Sequence, residues 1–162
     1  MSTPTISAPE TITPDTSTPP TGTPAPRGGA TTRDERFAFG MSVLNEIDGD
    51  AGGRVIDSLA DVSPELAHTV GAWAFGEIYA RPALPPRERQ LVTLGILTAL
   101  GGCEAQLAVH VNASLNVGLT PEEIVEAMLH AAVYCGVPRA LNATFAAKHV
   151  FAERDLLPVR QN

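Results

Sequence analysis

The sequence predicts an all-α domain of six or seven helices behind a Thr/Pro-rich tail, and three observations carry that prediction. From Arg33 onward apolar residues recur at steps of three and four, as in Phe37, Met41, Leu44 and Ile47. Prolines stand where helices begin (Pro64, Pro86, Pro121, Pro138) and glycines where they end (Gly101-Gly102, Gly118, Gly136). No stretch alternates apolar and polar residues as a half-buried strand does.

Met1 to Thr32 holds ten Thr, seven Pro and three charged residues, Glu10, Asp15 and Arg27. It lacks the apolar surface to offset its ordering entropy and is expected to be a disordered tail. The folded domain is expected over 33–156, with a short C-terminal tail over 157–162. Its first helix runs from the cap candidates Thr31-Thr32 to about Ile47. Asp48 to Gly53 reads as a Gly/Asp turn and Val55 to Leu59 as a short helix. Ser63-Pro64 supplies an N-cap and first-turn proline for a helix carrying Leu66, Val70, Trp73 and Ile78, which stops at Arg81-Pro82. Two central helices follow, over 87–100 and about 103–117. Thr120-Pro121-Glu122-Glu123 is a capping box opening a helix to Cys135, and Pro138 opens the last, to about Arg154.

Composition narrows the function. The chain has a net charge of -7, a sequence pI near 5.0 and a mean hydropathy of +0.05. An acidic surface disfavours nucleic acid and anionic membranes as partners. The longest apolar run, Leu91 to Leu100, is too short to span a bilayer. The N-terminus has neither a basic n-region nor an apolar h-region, and the two cysteines, Cys103 and Cys135, form no CxxC. Reduced thiols and a cytoplasmic location are expected. The helix over 88–100 carries Leu91, Val92, Leu94, Ile96, Leu97 and Leu100 around nearly its whole circumference. A helix apolar on all sides must be buried on all sides, so a homo-oligomer interface near it is expected.

The residues with chemistry concentrate on the second central helix. Cys103, Gln106, Leu107, His110 and Ser114 fall at steps of three and four and so share one predicted face. His110 reads either as a satisfied core histidine or as a functional imidazole. Cys103 reads either as a small buried hydrophobe or as a thiol activated at a helix N-terminus. Glu126, His130 and Tyr134 follow one another at i,i+4 on the next helix, where a polar edge of a packed helix is the plainer reading. Arg81, Arg87 and Arg89 cluster around a helix start and could bind an anion. No HxxxH or HExxH occurs and the four histidines lie on separate predicted helices, so no metal site is expected.

Several stretches resemble the carboxymuconolactone decarboxylase family. They are Ala80 to Leu94 (ARPALPPRERQLVTL), His110 to Ile124 (HVNASLNVGLTPEEI), Tyr134-Cys135-Gly136-Val137-Pro138 and Asn142-Ala143-Thr144-Phe145. The resemblance covers about Glu35 to Glu153 and implies a compact, alkylhydroperoxidase D-like helical fold. It implies a cofactor-independent decarboxylase of the 4-carboxymuconolactone type, assembled as a homo-oligomer, a hexamer or trimer, and taking a small carboxylated substrate. The superfamily's other chemistry is a thiol peroxidase with a CxxC, a histidine after three intervening residues and an upstream Glu relay. Here Cys103 and His110 match the first cysteine and the histidine, but Gln106 stands at the second cysteine and Leu91 at the relay. A dithiol cycle needs its resolving cysteine, so the peroxidase is the alternative, and a non-catalytic helical oligomer a third.

Decarboxylation of such a lactone leaves a dienolate. The site then needs a donor for the developing oxyanion, a cation for the remaining carboxylate and an acid to reprotonate carbon. On residue chemistry and family position, His110 is the expected acid or oxyanion donor, and a histidine titrating near neutral pH suits that step. Arg81 and Arg87 are the expected carboxylate anchors and Glu88 an orienting or relay group. Tyr134, Cys103 and Gln106 complete the candidate set.

Overall fold

The computed structural model describes residues 32–160; the tail expected over 1–32 lies almost wholly outside them. Seven helices make up this part, with no strand among the described residues. They are α1 (Arg33–Asp48), α2 (Asp50–Asp57), α3, α4 (Pro86–Leu100), α5 (Glu104–Asn116), α6 (Pro121–Cys135) and α7 (Val137–Glu153). Helix α3 opens as an α-helical turn and a half, Pro64–His68, and continues as a π-helix, Thr69–Tyr79.

Two helices start on reciprocal caps. Thr32 Oγ1 accepts the Glu35 N–H at 3.2 Å while Glu35 Oε2 accepts the Thr32 N–H at 3.1 Å. Thr120 and Glu123 repeat the arrangement at α6, at 3.2 and 2.9 Å. Each box satisfies donors that a bare helix start leaves orphaned. The expected turn over 48–53 is shorter than the composition suggests. Gly49 alone turns the chain, at φ +59°, and α2 begins at the next residue. Gly52 is required there by packing, since a Cβ on it would lie 2.5 Å from Leu44 Cδ2.

Helix α1 crosses α3 backbone to backbone. A Cβ on Gly40 would meet the Gly71 carbonyl oxygen at 1.9 Å, and one on Gly71 would meet the Phe37 ring at 2.6 Å. The face of α3 that enters this crossing is therefore the small one, with Ala67, Gly71, Ala72 and Phe75 buried. Of the apolar set legible in the sequence, Val70 packs on the core while Leu66, Trp73 and Ile78 are turned outward and exposed. A π-helix turns less per residue than an α-helix, so a face read at α-helical spacing drifts off the core.

The core has two parts. Leu94, Leu107, Val111, Ile124, Met128, Ala147, Val150 and Phe151 fill the space among α4 to α7. Val43, Leu44, Ile47, Ile56, Ala67 and Phe75 fill the space among α1 to α3, closed by Ala113 of α5. Helix α5 is thus the wall between them, and its residues are fixed from both sides. Leu156 and Val159 also pack on the larger core, so the chain after α7 continues along the domain. Thr93 on α4 donates to the Arg89 carbonyl at 2.9 Å, which leaves its oxygen to accept from Tyr79 of α3, also at 2.9 Å. No described helix is long and apolar enough to cross a membrane.

Candidate functional site

His110 lies in the middle of α5, half-buried, with Nδ1 3.1 Å from Oε1 of Gln90 on α4. With the amide oxygen facing it, Nδ1 is the donor of this bond, which leaves the lone pair on Nε2. Gln90 is fully buried, and its own Nε2 has no partner among the described residues. The His110 carbonyl accepts a 2.6 Å hydrogen bond from Ser114, whose hydroxyl is enclosed one turn on. Burial pushes the His110 imidazole down to about 4. It is therefore neutral at neutral pH, which corrects the expectation of a group titrating there: removing the ring from water penalises the cation, and no carboxylate offsets it.

The face expected to unite Cys103, Gln106, Leu107, His110 and Ser114 divides in the structure. Leu107 and Ser114 are buried and Gln106 faces solvent. Cys103 is the N-cap of α5, its φ of -132° lying outside the helix. Its thiol donates to the Leu97 carbonyl at 3.3 Å across the Gly101-Gly102 turn. It borders a water-sized nook of about 10 Å³ shared with Thr98, Glu104, Arg139 and Asn142. Both cysteines are free thiols.

The remaining candidates lie on or beside α4 and α6. Arg81 is exposed, and its carbonyl accepts from Arg89 Nη2 at 3.0 Å. Arg87 pairs with Glu123 across the α4–α6 seam. Glu88 is half-buried, with Oε2 enclosed and unpartnered among the described residues. Tyr134 is 80% exposed and stacks edge-on against His130, centroids 5.5 Å apart. It lines a groove of about 640 Å³ between α4 and α6, with Leu91, Gly95, Glu122, Glu126 and His130. The structure thus gathers His110 and Gln90 at the α4–α5 contact, and Tyr134 and the partner of Arg87 at the α4–α6 groove. His110 does not line that groove.

Gln90 is the residue that sequence reasoning missed. Its signal was there: Gln90, Leu94 and Thr98 are spaced i, i+4, i+8 on a helix of aliphatics, and all three are buried. Two polar side chains on a buried stripe are costly unless they have partners or work to do. Among the described residues no three His, Cys, Asp or Glu side chains converge to hold a metal ion.

The described part is thus a seven-helix fold in which a half-buried histidine on one helix meets a buried amide on the next. The model of the carboxymuconolactone decarboxylase family matches residues 64–149, and the chain belongs to that family. It is 33% identical over 130 residues to a 4-carboxymuconolactone decarboxylase of Acinetobacter baylyi, covering 80% of this chain and 96% of that protein. A nitrosuccinic acid decarboxylase of Metarhizium robertsii is 44% identical over 73 residues, 44% of this chain and 49% of that protein. An uncharacterised 15.0 kDa protein of Paracoccus denitrificans is 32% identical over 103 residues, 63% of this chain and 75% of its own length. Gln90, Cys103, His110 and Tyr134 all fall inside the family match.

Proposed function

We propose that this carboxy-lyase removes CO2 from a small acid whose departing carboxylate lies within conjugative reach of an electron-accepting group, as in a carboxylated lactone. The names of two relatives support the class, since a lactone acid and a nitro acid both leave a carbanion that spreads onto electronegative oxygen. Such a reaction asks for charge dispersal and one proton, and side chains supply both.

His110 is the proton-handling group in this reading. The observation that carries it is the hydrogen bond from His110 Nδ1 to buried Gln90, inside the family match. A histidine held by a second buried polar group has a fixed ring orientation, which a carbon acid requires. Arg81 is a free-facing cation for a second carboxylate. Arg87 would serve the same end by exchanging Glu123 for the substrate. Glu88 would relay through its enclosed oxygen, with Tyr134 at the α4–α6 groove and Cys103 and Gln106 at the start of α5 as bordering groups.

A homo-oligomer in the cytoplasm is part of the proposal. Val92, Ile96 and Leu100 form an outward stripe on α4 at i, i+4, i+8, exposed by 53, 54 and 63%. Val133, Val137 and Phe145 extend the apolar surface at 75, 64 and 62%. A stripe of this kind is normally covered, and a second copy of the chain is the partner the resemblance implies.

The test is CO2 release by purified protein across a panel of carboxylated lactones, nitro acids and β-keto acids. Turnover of one class is expected. Loss of peroxide with a thiol reductant and no CO2 release would replace this reading with the peroxidase, and neither activity would favour a binding oligomer.

A further inference from the structure

We propose that Gln90 is the positioning residue of the site, holding one proton on His110 Nδ1 so that all proton exchange with the substrate runs through Nε2. This rests on the decarboxylase reading above and adds an atom-level role to it. The two side chains come from different helices, α4 and α5, and meet at 3.1 Å. Gln90 is completely enclosed and Gln carries no charge, so the bond is undiluted by water and independent of pH. The amide oxygen can accept Nδ1–H from the neutral ring and from the imidazolium alike. Nδ1 therefore keeps its proton through the cycle, and only Nε2 gains and loses one.

The chemistry closes on that atom. The C–C bond to the carboxylate breaks, CO2 leaves, and the electron pair moves into the conjugated acceptor. The Nε2–H bond of the imidazolium then breaks as a C–H bond forms, and Nε2 takes up one H⁺ from the solvent. The sum is R–CO2⁻ + H⁺ → R–H + CO2. In the unliganded protein the ring is held by the neutral Gln90 amide, and no carboxylate among the described residues is paired with it. An anionic substrate beside it supplies the missing counter-charge, so proton uptake accompanies binding. A carboxylate at position 90 would supply that charge permanently and keep the ring protonated; an amide does not.

The enclosed, unpartnered Nε2 of Gln90 gives the arrangement a definite alternative. Turning the amide over would point its NH2 at Nδ1, strip the proton from that atom and put it on Nε2. Nitrogen-15 NMR of the imidazole in the unliganded full-length protein separates the two tautomers without any need for turnover. The expected result is a neutral Nδ1–H tautomer at pH 7. Gln90→Leu should let the Nε2–H tautomer appear and lower kcat about 10- to 100-fold with KM little changed, the usual size for an orienting partner. Gln90→Glu should keep Nδ1 protonated and move the imidazole's titration upward. An Nε2–H tautomer in the native protein, or a Gln90→Leu variant with tautomer and kcat both unchanged, overturns the proposal. If instead the native protein releases CO2 from no substrate, the decarboxylase reading fails while the tautomer result still decides the role of Gln90.

Discussion

Glu123 serves two masters: one carboxylate oxygen accepts the Thr120 N–H at the start of α6, and the other pairs with Arg87 of α4. The Thr120 backbone bond and the Arg87 bond together hold its carboxyl below the usual carboxylate range. The same acid thus caps a helix and ties up the cation expected to hold a substrate carboxylate.

That coupling predicts opposite effects for the two partners. Arg87→Ala should raise KM for a dicarboxylate substrate while changing kcat little, because a remote anchor contributes uniform binding. Glu123→Gln, which keeps an acceptor for Thr120 but frees Arg87, should lower KM and cost little thermal stability. Steady-state kinetics on both variants check this. Unchanged KM in both would remove Arg87 from the binding site.

Helix α4 divides into a buried and an outward stripe, and the two should fail differently. Leu94 is fully enclosed in the core, so Leu94→Asp should unfold the domain. Ile96 is 54% exposed, so Ile96→Asp should leave the helical signal intact and reduce the mass in light scattering. An Ile96→Asp protein of native mass would move the interface away from this stripe.

Asp48 predicts a pH-dependent stability. It is buried at the C-terminal end of α1 with Oδ1 unpartnered, and burial pushes its pKa from 3.8 up to about 7. The folded state then keeps a proton that the unfolded chain has released, so this group's contribution falls as pH rises from about 4 to about 7. Asp48→Asn should stabilise the protein at pH 8, by on the order of 2 to 4 kcal/mol, and hardly at all at pH 4. His110 acts in the opposite sense: with its pKa lowered from 6.5 to about 4, its contribution is lost as pH falls through that window. Thermal melts of Asp48→Asn at both pH values test the first statement, and an equal gain at both would contradict it.

Much of the fold was legible because helix boundaries are local chemistry. Thr32, Thr120, Pro86 and Pro121 mark their helix starts by capping and by fixed φ, which need no tertiary information. The inward face of α3 was not legible, because it depends on the Gly40–Gly71 approach and on a π-helical register that α-helical spacing does not describe. The site divides the same way. His110 and Cys103 stood out as reactive side chains on one helix. Gln90 did not, since its meaning comes from a contact between α4 and α5, twenty positions apart in sequence.

We propose that a histidine, and no thiol, handles the proton. The measurement that tests it most directly is the rate of CO2 release by native protein, His110→Ala and Cys103→Ser on one substrate at one pH. His110→Ala should lose about two to four orders of magnitude, as expected for a positioned acid or base. Cys103→Ser should lose about tenfold or less, reflecting packing and its bond to Leu97 alone. Abolished turnover in Cys103→Ser beside a mild loss in His110→Ala would contradict the account and make the protein a thiol catalyst.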